Sequence, residues 1–174
     1  MRVPSLAFPA RPVRTAVLIL AMAASAWVSA EAPSIFVIPI RGNIEPSTVV
    51  FVRRNSEAAL GQGADVLVFD IDTFGGRVDS ALRVSAYIGS IRDARTIAYV
   101  RSGPESLGVS WSAGALIALS TSEIYMAPGT SMGAAAPVIA GADGQTQGAG
   151  EKTVAAVRSQ MAALAEKNGH PTAL

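Results

Sequence analysis

The run Asp65-Val66-Leu67-Val68-Phe69-Asp70-Ile71-Asp72 constrains the fold more than any other stretch of the chain. Its near-continuous apolar character suits a strand covered on both faces, as in a parallel sheet. The segments around it alternate. Ile35 to Ile40 reads as a strand, and Pro39 places it at a sheet edge or near a strand end. Arg41-Gly42-Asn43 reads as a turn. Pro46 to Leu60 reads as a helix, with Ser47 or Thr48 near its start and Gly61 and Gly63 beyond its end. After Asp72, the segment Thr73-Phe74-Gly75-Gly76 reads as a tight turn. Val78 to Ile91 is a helix, with Leu82, Ala86 and Ile88 to Ile91 on its buried side. Thr96 to Val100 is a third strand, and the Ser102–Gly108 loop leads into a helix beginning at Ser112. Glu123 to Met126 is a fourth strand, Pro128 to Gly133 a loop, Ala140 to Gly150 a mobile glycine-rich segment, and Glu151 to Lys167 a last helix. Alternating strands and helices imply an α/β domain with a largely parallel sheet. In such sheets the functional loops lie beyond the carboxyl ends of strands. The Gly75-Gly76 turn and the Ser112 loop both follow strands, so they are expected at the same end.

The N-terminal 30 residues read separately. Arg2, Arg11 and Arg14 make a basic leader, Ala16 to Val28 is an uncharged apolar run, and Val28-Ser29-Ala30 offers small residues for cleavage. Residues 1–30 are thus expected to be an export signal, cleaved or retained as an anchor. The domain of residues 31–174 is expected in the periplasm or on the outer face of the cytoplasmic membrane. The chain stops at Leu174 without a closing strand, which reads as a domain incomplete at its C-terminus. The 174 residues are 50% hydrophobic and 16% charged, enough for a real core. A net charge of +1 leaves no electrostatic footprint for nucleic acid. Without cysteine, and with His170 as the one histidine, the chain offers neither a thiolate nor a multi-histidine metal site. No cofactor is expected. The chain has no G-x-S-x-G elbow, no G-x-G-x-x-G and no P-loop.

Ser112 is the candidate nucleophile. It sits where a glycine loop runs into the small-residue segment Ala113-Gly114-Ala115, so its hydroxyl lies at the positive end of a helix with room beside it. Taken alone, such a serine also reads as a helix cap. Of the possible bases, His170 closes the last helix in Asn-Gly-His-Pro and reads as a solvated cap residue, and Lys167 reads as a charge balancing the helix dipole. Lys152 stands at the start of that helix, where the dipole disfavours the ammonium form and so helps a lysine act as a base. An exposed lysine is its other reading. Gly76 and Ala113 can each offer a backbone N–H to a developing oxyanion.

These motifs resemble those of a known family. Asp72-Thr73-Phe74-Gly75-Gly76-Arg77-Val78-Asp79 looks like the D-T-P-G-G turn of the NfeD-type membrane-associated serine proteases, within the Clp-protease/crotonase superfamily. Ser110-Trp111-Ser112-Ala113-Gly114 resembles their A-A-S-A-G nucleophile segment, with Ser110 a loop residue beside the nucleophile. Met126 to Ala134 resembles their M-A-P-G-T-S-I-G-A stretch, the most specific of the three. The likeness runs from about Ile35 to Pro171. It implies a Clp-protease/crotonase-like β-α spiral and a serine endopeptidase with a Ser112–Lys152 dyad and an oxyanion hole at Gly76 and Ala113. It further implies a homodimer acting on hydrophobic segments of stomatin- or prohibitin-like membrane proteins. An extended peptide is expected to add along a strand near Gly76, with Gly75, Arg77, Met132 and Gly133 contributing to its binding. Phe74 departs from the family's proline and brings the rigidity of the turn into question. That departure and the early end of the chain motivate a rival, a catalytically impaired scaffold of the same fold that binds a membrane partner. An acyl-CoA enzyme of the crotonase branch is a second rival, opposed by the export signal.

Overall fold

The computed structural model describes residues 32–135, 138–140 and 146–171. The expected export segment and the middle of the glycine-rich segment, 141–145, lie outside the described residues. The elements in order are β1 (Ile35–Ile44), α1 (Pro46–Gly61), β2 (Val66–Gly76), α2 (Val78–Ile88), β3 (Arg95–Val100), β4 (Val109–Trp111), α3 (Ala113–Ala118), β5 (Glu123–Met126), β6 (Ser131–Gly133), β7 (Val138–Ala140), β8 (Thr146–Gly148) and α4 (Glu151–Asn168). The α/β reading holds, and every pairing in the main sheet is parallel.

β2 organises the molecule. Along one edge it pairs with β1 over its whole length, from Ile35↔Val66 to Ile44↔Gly76. Its other edge is shared. The first half pairs with β3, which carries β5, and the end pairs with β4 through Thr73↔Ser110, with β6 beyond. One strand therefore serves two diverging sheets, and the carboxyl end of β2 lies where they part. β1 is an edge strand, as Pro39 indicated.

The helices cover one face. Ile38 and Ile40 of β1, Leu67, Phe69 and Ile71 of β2 and Ala98 of β3 meet Val52, Val84, Ile88, Leu116, Ile117 and Leu164 in a single core. Phe69, Ile71 and Ile117 are fully buried, and each such side chain contributes about 1.5–3 kcal/mol. The opposite row of β2 is closed by polar contacts. Asp70 accepts from Arg41 at 2.7 Å and faces Arg101 at 3.6 Å, and Asp72 accepts the Leu107 N–H through both oxygens at 3.1 Å. β2 is thus buried on both faces, as its sequence requires, though by helices on one side and by arginines and a loop on the other.

Local expectations are corrected as follows. Ser131 to Gly133 is not loop but strand β6, paired with β4. Arg41-Gly42-Asn43 is not a turn but a register shift inside β1, where Gly42 has φ +68°. Thr73 to Gly76 is not a tight turn but the last part of β2, because β1 and β4 pair with it on both edges. Ser110 is not a loop residue but the centre of β4. α2 stops at Ile88, capped by Gly89. Its buried face is Ala81, Val84, Ser85 and Ile88, with Leu82 exposed, since packing against α3 selects a stripe rotated from the expected one. Among the described residues no helix is long and apolar enough to cross a membrane.

Candidate active site

The geometry at Ser112 follows from β4 ending directly in α3. The chain must leave the sheet and start a helix within one residue. Ser112 makes that bend with φ 50° and ψ −112°, a strained conformation for a residue with a side chain. Its N–H donates to Gly133 O of β6 at 2.7 Å, so the Ser112 amide is already used. The next amide, Ala113 N–H, opens the first turn of α3 and has no intrahelical acceptor. All six residues of α3 are buried, which fixes this helix start against the core.

The end of β2 passes against the same point. Gly75 has φ +126° and Gly76 φ +152°. A Cβ on Gly75 would stand 2.8 Å from Ser112 Cβ, 3.1 Å from Ser112 Oγ and 3.4 Å from Ala113 N. The Gly75 backbone therefore lies in contact with the serine. A Cβ on Gly76 would meet the backbone of Ile44 across the β1 pairing. Arg77 N–H donates to Ile44 O at 2.8 Å. Gly75 and the first turn of α3 thus border the space beside the Ser112 hydroxyl, with Gly76 next along β2. The pocket there is lined by Val78, Ala81, Ser112, Ala113, Leu116, Ala135 and Val157, an apolar setting that strengthens dipoles aimed into it.

The remaining candidates are placed as follows. Met132 packs half-buried against the core, and Gly133 supplies the carbonyl that holds Ser112 N–H. The Arg77 side chain is exposed and grips Asp79 through two hydrogen bonds of 3.0 and 3.1 Å, which hold the Asp79 carboxyl below its ordinary range. Lys152 is exposed on the first turn of α4, and among the described residues no hydrogen bond joins it to Ser112. The other two candidate bases are tied elsewhere. His170 Nε2 donates to Thr121 O at 2.8 Å, beyond the far end of α3 from Ser112, and Lys167 Nζ donates to Gly89 O at 3.3 Å, closing α2 rather than its own helix.

Sequence reasoning passed over Thr73. Its buried hydroxyl accepts the Gly75 N–H at 2.9 Å and donates to Gly42 O. The signal was available, since a threonine two residues before a glycine is placed for a side-chain bond to that N–H. Phe74, where the family has proline, is exposed and rests on Trp111 with ring centroids 5.4 Å apart, while Trp111 Nε1 donates to Ser131 Oγ at 2.8 Å.

Residues 34–173 match the family model of the NfeD1b N-terminal domain. The membrane protein NfeD1b of Bacillus subtilis is 37% identical over 139 residues, which are 80% of this chain and 29% of that protein. The membrane-bound protease PH1510 of Pyrococcus horikoshii is 30% identical over 105 residues, 60% of this chain and 23% of that protein. The chain thus spans less than a third of the length of these curated relatives. Among solved structures it is similar to the membrane-bound stomatin-specific protease 1510-N. A serine-to-alanine mutant superposes with TM-score 0.73 at 28% identity, covering 82% of this chain and 67% of that one. A lysine-to-alanine mutant in complex with a substrate peptide gives TM-score 0.72 at 28% identity, covering 80% and 63%. An asparagine-to-aspartate mutant of ClpP1 from Listeria monocytogenes, with TM-score 0.54 at 20% identity over 78% of this chain and 74% of that one, shares the fold. The fold is Clp-protease-like.

Proposed function

The chain belongs to the family of the NfeD1b N-terminal domain, and from that premise we propose that it is a serine endopeptidase acting through Ser112 and Lys152. One observation carries the reading: the strained Ser112 at the start of a buried helix, with the Gly75–Gly76 end of β2 against its hydroxyl. A helix cap needs no second strand pressed onto it. An acyl-transfer site does, because two backbone donors must converge on one oxygen.

Neutral Lys152 takes the proton of Ser112 Oγ as that oxygen bonds to the scissile carbonyl carbon. The carbonyl oxygen becomes an oxyanion held by the N–H groups of Gly76 and Ala113. The intermediate expels the amine, which takes the proton from the Lys152 ammonium. Water, deprotonated by the same lysine, then releases the acyl group and restores Ser112. In this reading the Lys152 amine, on the first turn of α4, reaches Ser112 Oγ when a peptide is bound. The substrates in this reading are apolar segments of stomatin- or prohibitin-like membrane proteins. The solved relatives, a stomatin-specific protease studied as a serine-to-alanine mutant and as a lysine-to-alanine mutant with a substrate peptide, support both the substrate class and the pair. The same reading places the domain at a membrane, on its exported side, and makes it a homodimer.

The exposed Lys152 also favours a second reading, a scaffold of the same fold that binds a membrane partner without cleaving it. Fluorophosphonate labelling and cleavage of an apolar peptide separate the two. The protease labels at Ser112, and Ser112→Ala loses labelling together with on the order of 10⁴-fold or more in kcat. Lys152→Ala should lose about 10²–10⁴-fold in rate. An unlabelled Ser112 with partner binding intact establishes the scaffold.

A further inference from the structure

We propose that Thr73 is the positioning residue that sets the oxyanion strand against the nucleophile helix, its hydroxyl holding the strand and its methyl seating the helix. The proposal rests on the serine-protease reading above and names a residue that reading does not use.

The hydroxyl half works on β2. Thr73 Oγ1 accepts the Gly75 N–H at 2.9 Å, lies 3.1 Å from Gly75 O and donates to Gly42 O. One oxygen therefore touches both ends of the residue that precedes Gly76. It also ties that residue to the register shift in β1, where Gly42 has φ +68°. This matters because Gly75 and Gly76 both have positive φ, which leaves their shared peptide free of the side-chain sterics that fix an ordinary strand. The β1 pairing holds Gly76 on one edge, and Thr73 Oγ1 adds a hold on the Gly75 N–H, so that losing it loosens the approach of the chain to the Gly76 N–H.

The methyl half works on α3. A Cβ on Gly114 would stand only 2.7 Å from Thr73 Cγ2, so this methyl is seated directly against the helix backbone two residues after Ser112. Thr73 is fully buried, so neither contact is shared with solvent. Serine supplies only the first contact and valine only the second. Threonine at this position supplies both, and the distance between the two oxyanion donors passes through its side chain.

Thr73→Val and Thr73→Ser divide the two roles, with melting temperatures recorded for each and all readouts taken below them. Thr73→Val should lower kcat by on the order of 10²-fold, the scale of a 1 Å misplacement, while KM stays within about two-fold. Thr73→Ser should keep kcat within about three-fold of wild type and lose melting temperature instead. Amide hydrogen exchange followed by NMR reads the hold without catalysis: the Gly75 N–H should exchange faster in Thr73→Val and remain protected in Thr73→Ser. An unchanged kcat in Thr73→Val, or an unchanged Gly75 exchange rate, overturns the proposal. Failure of the underlying reading looks different. Wild-type protein would then form no adduct with a peptide aldehyde at Ser112, while faster Gly75 exchange in Thr73→Val would still establish the hold on β2.

Discussion

A single methyl group at Gly75 or Gly114 tests the site from its two sides. Gly75 has φ +126°, and an alanine Cβ there would stand 2.8 Å from Ser112 Cβ. Gly75→Ala should cost about 1–3 kcal/mol of stability in urea melts, from strain at positive φ. It should also cost at least about 10²-fold in peptidase rate, because relief of the clash moves the serine. At Gly114 two effects compete. Alanine gains about 1 kcal/mol of helix propensity. Its Cβ, however, meets Thr73 Cγ2 at 2.7 Å and Ser110 Oγ at 2.9 Å, both on buried residues, and overpacking typically costs about 1–3 kcal/mol. Overpacking wins, and Gly114→Ala should melt earlier than wild type. Stability unchanged in both variants would mean that β2 and α3 are not in contact at this point. Ser112 stood out as a candidate from its chain neighbours, since glycine and small residues around a serine at a helix start leave room for a substrate. The Thr73 bond to Gly75 could be read from spacing, but its bond to Gly42 could not, because that partner lies 31 residues away across a parallel pairing.

At the scale of elements, legibility followed length. β2, β3, β5, α1 and α4 have enough residues for a hydrophobic pattern, and each was found within a few residues of its place. β4 and β6 have three residues each, Val109-Ser110-Trp111 and Ser131-Met132-Gly133, with no periodicity to read. They are strands because β2 offers an open edge to β4 and β4 then offers one to β6. The same pairing turns Thr73–Gly76 from a turn into strand, overriding the local signal of two glycines. It also explains how Phe74 is tolerated. Phe74 and Trp111 stand side by side, one residue beyond the Thr73↔Ser110 pair, and pack at 5.4 Å on the exposed side of the sheet. An aromatic pair of this kind contributes about 0.5–1.5 kcal/mol beyond its buried area. A double-mutant cycle of Phe74→Ala and Trp111→Ala should return a coupling of about that size, with kcat nearly unchanged in Phe74→Ala. A coupling of zero would leave Phe74 as a side chain without a partner. A large loss of rate in Phe74→Ala would instead place the pair in the substrate groove.

In the molecule as a whole, the proposed nucleophile Ser112 opens a fully buried helix, while the proposed base Lys152 stands on the exposed first turn of α4. The far end of α4 is the more firmly anchored. Met161, Leu164 and Ala165 are buried, Asn168 Nδ2 donates to Leu119 O at 2.8 Å, and His170 donates to Thr121 O. Toward its start, Glu151, Lys152, Thr153, Ala155, Ala156 and Arg158 are exposed, and Val157 is the contact with the pocket at Ser112. If Lys152 is the base, this helix acts as a lever, with its pivot near Met161 and Lys152 on the freer arm. Segments with few buried apolar contacts open at low free energy, whereas core elements open only near the global unfolding free energy. Hydrogen exchange should therefore be fast over 151–157 and slow over 161–168 in the free protein. A peptide aldehyde that bonds to Ser112 should slow the first segment and leave the second unchanged, because in the proposed reaction Lys152 meets Ser112 when a substrate is bound. Equal protection along α4 in the free protein would remove the lever. A free arm that stays fast with the aldehyde bound would remove Lys152 as the base while leaving Ser112, Gly76 and Ala113 in place.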